Sequence, residues 1–207
     1  MTLLVTFITS LLLGMRHATD PDHVIAVAAI VTSERSVARA ARIGALWGLG
    51  HTLTILLVGG AIIVFKVAFS VRLGLSMEMT VAIMLIVLGV LNLVNAHVPL
   101  KPVSPSRPVL IGVIHGLAGS AGAALLLVPL IDDPRFAALY LLVFGLGTIA
   151  GMSMVTLAIA VPALAAGAPT ARVQRSLRIA SGAVSVLFGV YLAHKIGVTD
   201  GLFGFRQ

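Results

Sequence analysis

Four long stretches of this chain contain no Asp, Glu, Lys or Arg: Ile43 to Phe65, Met79 to Leu100, Pro108 to Ile131 and Phe136 to Ala171. Each is at least as long as the roughly 20 apolar residues that an α-helix needs to cross a bilayer. A chain with so few charges cannot solvate the outside of a water-soluble fold. Only 10% of its 207 residues are charged, against about 25% in soluble domains. The mean hydropathy is +1.12. The expected fold class is therefore all-α, a polytopic membrane protein.

The net charge of +7 does not point to nucleic acid, because the basic residues lie between the apolar runs instead of along one solvated face. They read as topology determinants. Cysteine is absent, so a metal site would have to use imidazole, carboxylate, hydroxyl, thioether or backbone oxygen. Thr2 to Met15 is apolar and lacks a basic n-region and a small-residue cleavage site, so it reads as part of the first span.

The pattern predicts six transmembrane helices, near 2–32, 40–68, 77–98, 108–131, 136–166 and 174–197. The proline-rich linker Lys101 to Pro108 divides a first repeat, 1–100, from a second, 108–207, within a single transmembrane domain. Leu13-Gly14-x-x-His17 recurs as Ile111-Gly112-x-x-His115. Trp47-Gly48-Leu49-Gly50-His51 recurs as Phe144-Gly145-Leu146-Gly147-Thr148, and Leu88-Gly89-Val90 as Phe188-Gly189-Val190. Three spans per half make the halves enter the membrane in opposite senses, a 3+3 inverted repeat of the kind found in secondary transporters. The loops after spans 1, 3 and 5 carry Arg35, Arg39, Arg42, Lys101, Arg107, Arg172, Arg175 and Arg178. The other side has Lys66, Arg72, Arg135, Lys195 and Arg206. The heavier side is expected to be cytoplasmic, with the N- and C-termini outside.

Chemistry concentrates in Arg16-His17-Ala18-Thr19-Asp20-Pro21-Asp22-His23-Val24. Ionisable groups at membrane depth are costly and mark functional sites. His17 and Asp20, and Asp20 and His23, stand three residues apart and share a helix face. Pro21 clashes with the carbonyl of His17 and disfavours helical geometry at Asp20, so a break is expected between Ala18 and Asp22. Imidazoles and carboxylates without thiolate suit borderline divalent ions such as Ni²⁺, Co²⁺, Zn²⁺ or Mn²⁺. The candidate metal ligands are His17, Asp20, Asp22 and His23, joined by His51 after Gly48-Leu49-Gly50 and by His115 at the repeat position of His17. In the second half Ala118, Ser120 and Ala121 stand at the repeat positions of Asp20, Asp22 and His23. His97 and His194 are expected at the interface, Asn92 and Asn95 as interhelical glue, and Met152 and Met154 as core filling. Arg16 either pairs with Asp20 or Asp22 or snorkels.

Arg16-His17-Ala18-x-Asp20-x-Asp22-His23-Val24 resembles the His-x₄-Asp-His signature of the nickel/cobalt transporter family. Leu49-Gly50-His51-Thr52 looks like that family's Leu-Gly-His-Ser/Thr segment. His115-Gly116-Leu117-Ala118-Gly119-Ser120-Ala121 is similar to the branch of urease and hydrogenase accessory permeases. The larger members have eight spans and an acidic second-half motif, against six spans and a Gly/Ala/Ser run here. The resemblance implies a permease of a prokaryotic cell (inner) membrane, carrying nickel or cobalt as cargo with no catalytic cofactor. It also implies metalloenzyme-maturation proteins as partners. Two other readings fit the residues: an intramembrane metal-dependent hydrolase, and an exporter of small organic solutes. No phosphate-binding loop motif is present, so transport would draw on a gradient, a potential or a partner.

Overall fold

The computed structural model describes residues 3–31, 34, 36–65, 70–97, 103–117, 128, 131, 133–165 and 170–204, without the side chains of 163 and 171. Seven α-helices and no strand occur among the described residues: α1 Leu3–His17, α2 Pro21–Val31, α3 Val37–Phe65, α4 Val71–Val94, α5 Ser106–His115, α6 Pro134–Ala165 and α7 Ala171–His194. A π-helical turn, Lys195–Thr199, extends α7. Helices α3, α4, α6 and α7 are long and apolar enough to cross a membrane. They leave Leu57, Val94, Leu146 and Leu187 more than half exposed. Such outward apolar surface is stable against lipid and would be a liability in water.

The first expected span, 2–32, is divided. At 1.5 Å per residue, α1 and α2 measure about 22 Å and about 16 Å, each short of the ~30 Å hydrocarbon core. Between them Thr19 N–H donates to the Arg16 carbonyl at 2.8 Å and Asp20 N–H to the His17 carbonyl at 3.1 Å. These are tight three-residue turns, and the Thr19 hydroxyl reinforces them by donating to Arg16 O at 2.6 Å. Helix α2 restarts on the Asp20 carbonyl, which accepts from His23 N–H at 3.0 Å and Val24 N–H at 3.1 Å. Pro21 is then the first helical residue, where a missing N–H leaves no bond unmade. The proline starts a helix.

Other boundaries shift for local reasons. Helix α4 begins at Val71, earlier than expected, because the Ser70 hydroxyl caps it by accepting Leu73 N–H at 3.2 Å. Arg72 thereby becomes helical. Helix α5 begins at Ser106, with Pro108 in its first turn, where no backbone donor is needed. Of the fourth expected span, helix is described only to His115. Ala118, Ser120 and Ala121 lie outside the described residues, as do Lys101 and Pro102.

Helices α3 and α6 pack on each other at the centre, with α1 against α6, α5 against α3, and α4 against α7. Small residues set these contacts. A methyl group built on Gly14 would lie 2.1 Å from the Phe144 carbonyl oxygen and 2.9 Å from Thr148 N. One built on Gly112 would lie 2.1 Å from the Trp47 oxygen and 3.0 Å from His51 N. A methyl group on Gly147 would run into Leu11 O as one on Gly50 would into Val109 O. One on Gly89 would lie 2.6 Å from Gly182 O, and one on Gly189 2.9 Å from Ala82 O. Polar clasps also join the helices. Ser10 donates to Tyr140 O at 2.8 Å, Ser185 to Leu85 O at 2.7 Å and Asn92 to Ala29 O at 2.6 Å. Asn95, by contrast, bonds its own helix at Leu91 O.

Candidate metal centre

Three helix ends and one helix face meet at the centre of the bundle. His17 is the last residue of α1, His115 the last of α5, and Asp22 and His23 lie in the first turn of α2. His51 comes from the middle of α3. Carbonyl-rich C-terminal ends favour positive charge, so α1 and α5 both present the electrostatics a cation needs.

The structure brings all six candidate ligands into one cluster. His17 Nδ1 lies 2.9 Å from Asp20 Oδ2, and His17 Nε2 lies 3.0 Å from His51 Nε2. Asp22 is shared: Oδ1 is 3.1 Å from His23 Nδ1 and Oδ2 is 3.0 Å from His115 Nε2. The His17 and His23 rings stand 4.6 Å apart, centroid to centroid, and the His23 and His115 rings 4.1 Å apart. Exposure falls steeply through the cluster, from 39% for the Asp20 side chain and 14% for Asp22 to 1% for His23 and 0% for His115.

Ionised carboxylates only accept hydrogen bonds, so the geometry implies the tautomers. Asp20 takes the Nδ1–H of His17, leaving its Nε2 lone pair facing His51. Asp22 takes Nδ1–H of His23 and Nε2–H of His115. The opposite nitrogens, His23 Nε2 and His115 Nδ1, are buried with no partner among the described residues, as is His51 Nδ1. Unpaired nitrogens so deeply buried are costly, and metal ligands are a group for which that cost has a purpose. His17, His23 and His51 can each offer an atom, all within 4.8 Å of one another, and so can Asp22, His23 and His115. His23 belongs to both groups.

The other polar and sulfur-bearing side chains fall elsewhere. Thr52 donates to Gly145 O, and Thr54 to Gly50 O and Val113 O, so these hydroxyls hold helices together. Met152 is core and Met154 faces outward. Arg16 is exposed, and Asp20 and Asp22 pair with imidazoles instead. Exposed His97 meets Arg175 Nη2 at 2.9 Å, and His194 is also exposed. Two neighbours were not anticipated. Trp47, fully buried, stacks on His23 with ring centroids 5.9 Å apart and planes 17° apart. Glu78 of α4 joins Asp20, Pro21, Asp22, Val81, Phe188 and Leu192 around a cavity of about 240 Å³ beside the cluster. The signal for Glu78 was its position, one residue before the uncharged run that starts at Met79.

No protein-family model matches the chain, and no solved structure matches it. The chain is 35% identical to the urease accessory protein UreH of Bacillus sp. (strain TB-90) over 209 aligned residues, covering 92% of this chain and 91% of that protein. At that identity over nearly the full length of both proteins, the chain belongs to the UreH urease accessory protein family.

Proposed function

We propose that this protein is a secondary permease for divalent transition-metal cations, with nickel first and cobalt second, and that the buried His/Asp cluster is its substrate site. The observation that carries this reading is the set of unpartnered imidazole nitrogens, closed off from solvent, around two carboxylates. Neutral imidazole nitrogens bind borderline divalent ions and reject hard cations such as Mg²⁺. The 3.0 Å spacing of His17 Nε2 and His51 Nε2 suits two ligands at right angles on one ion, which stand about 3.0 Å apart when the bonds are ~2.1 Å. Asp20 and Asp22 then act through the histidines, fixing their tautomers as carboxylates commonly do behind metal-bound imidazole. The urease accessory name of the relative favours nickel among the candidate ions, and urease-maturation proteins as downstream partners.

An inverted-repeat architecture completes the proposal, with halves 1–100 and 108–207 exchanging about an axis in the membrane plane. Its support is the reciprocity of the contacts: Gly14 on α6 mirrors Gly112 on α3, Gly147 on α1 mirrors Gly50 on α5, and Gly89 on α7 mirrors Gly189 on α4. Alternating access uses such a relation, whereas a hydrolase has no need of it.

Radioactive nickel and cobalt flux into vesicles reconstituted with the protein tests the reading directly. Flux no greater than in empty vesicles would reject it. Trp47 offers a binding assay free of transport, because it is the chain's only tryptophan and stacks on His23. Nickel is expected to quench its fluorescence saturably, and His23→Ala to abolish the saturable phase. Equal quenching in both proteins would place the ion elsewhere.

A further inference from the structure

Resting on the permease reading, we propose that the cavity beside Asp22 is the vestibule through which the cation reaches the imidazoles, and that Glu78 is its outer docking ligand. The cavity lies between the start of α2, the first turns of α4 and the end of α7. Its inner wall is Asp22, the carboxylate from which His23 and His115 hang, each buried and each with one unpartnered nitrogen. The fall in exposure from Asp20 through Asp22 to His23 gives the path its direction.

Glu78 faces this wall from another helix. It is half-buried, and the charges acting on it are those of Asp200, Lys195 and Asp22. Of the other lining residues, Val81, Phe188 and Leu192 offer a cation no ligand, while Asp20 just before α2 adds a third carboxylate. At about 30 Å³ per water, an ion with six waters needs about 180 Å³, less than the 240 Å³ present. The vestibule therefore admits a hydrated ion and holds it by carboxylate oxygens. Those are the ligands that compete least for its water, and imidazole takes over deeper in. In the orientation expected from the Lys/Arg distribution, the ends of α4 and α7 nearer the cavity lie toward the outer side.

A carboxylate that only docks the ion should change the concentration dependence of transport more than its limiting rate. Glu78→Gln is expected to raise the half-saturating nickel concentration about five-fold, with a near-normal limiting rate, and Glu78→Asp to fall between. The chain has no cysteine, so Leu192→Cys places a single thiol in the cavity wall. A water-soluble thiol reagent should label it, nickel should slow the labelling, and Glu78→Gln should raise the protecting concentration by the same factor. Labelling that nickel leaves unchanged, or a wild-type half-saturation in Glu78→Gln, would overturn the vestibule. Wild-type vesicles that carry no nickel would instead reject the permease reading, while nickel protection of the thiol still reports on the cavity.

Discussion

His23→Ala is expected to reduce nickel flux by about 100-fold or more at normal protein levels. His23 is the residue common to both potential ligand groups, so its loss leaves neither with three members. The removed ring also strips Asp22 Oδ1 of its hydrogen-bond partner. His17→Ala is expected to be as severe, because it removes the ring that bridges Asp20 and His51. Asp22→Asn should cost about 10- to 100-fold. An amide has one accepting oxygen, so it cannot take N–H bonds from both His23 and His115, and one imidazole must turn or change tautomer. Asp20→Asn disturbs one imidazole only and should cost less than Asp22→Asn. His97→Ala and His194→Ala should retain most flux, since both residues are exposed and remote from the cluster. Flux in vesicles, normalised to folded protein, checks the order. Full activity in Asp22→Asn together with loss in His97→Ala would show that the site lies elsewhere.

The second large effect concerns the fold. Gly14→Ala and Gly112→Ala are each expected to destabilise the bundle by about 1–3 kcal/mol or more, lowering its midpoint of thermal unfolding in detergent. In both cases the added methyl would overlap a backbone carbonyl at 2.1 Å, and backbone cannot rotate away as a side chain can. The helices must separate, and His17 or His115 moves with them, three residues further along the same short helix. Gly60→Ala is the control. It lies inside α3 with nothing within 4 Å of the added carbon, so alanine there should be neutral or stabilising by about 0.5–1 kcal/mol. Equal stability of all three variants would mean that the helices are not held at the spacing described.

Much of the site was legible because its residues are close in sequence. Two imidazoles and two carboxylates within His17 to His23 signal chemistry wherever they sit, and Pro21 marks a break. The direction of the break was less legible. Proline reads equally as an interruption or as a first helical residue, and the turn bonds from Arg16 to Asp20 select the second. Asp22 illustrates the limit more sharply. Read along the chain it looks like a ligand beside His23, yet its second oxygen holds His115, 93 residues away. Glu78 went unassigned because nothing near it in sequence is polar in a way that names a partner.

The amino-acid sequence by itself determined the membrane class, the long uncharged runs at the heart of α3, α4 and α6, the glycine pairs at near-constant offset and the address of the chemistry. These follow from local composition and spacing, which burial in lipid or in protein constrains alike. Only the tertiary structure decided which face of each helix looks inward. Helices α3, α4 and α6 are apolar nearly all round, because lipid and protein interior both accept Leu and Val, so periodicity does not mark the buried side. The rotation that turns His51 toward His17, and Glu78 toward Asp22, is set by carbonyl-to-glycine contacts between helices. Those contacts exist only once the chain has packed.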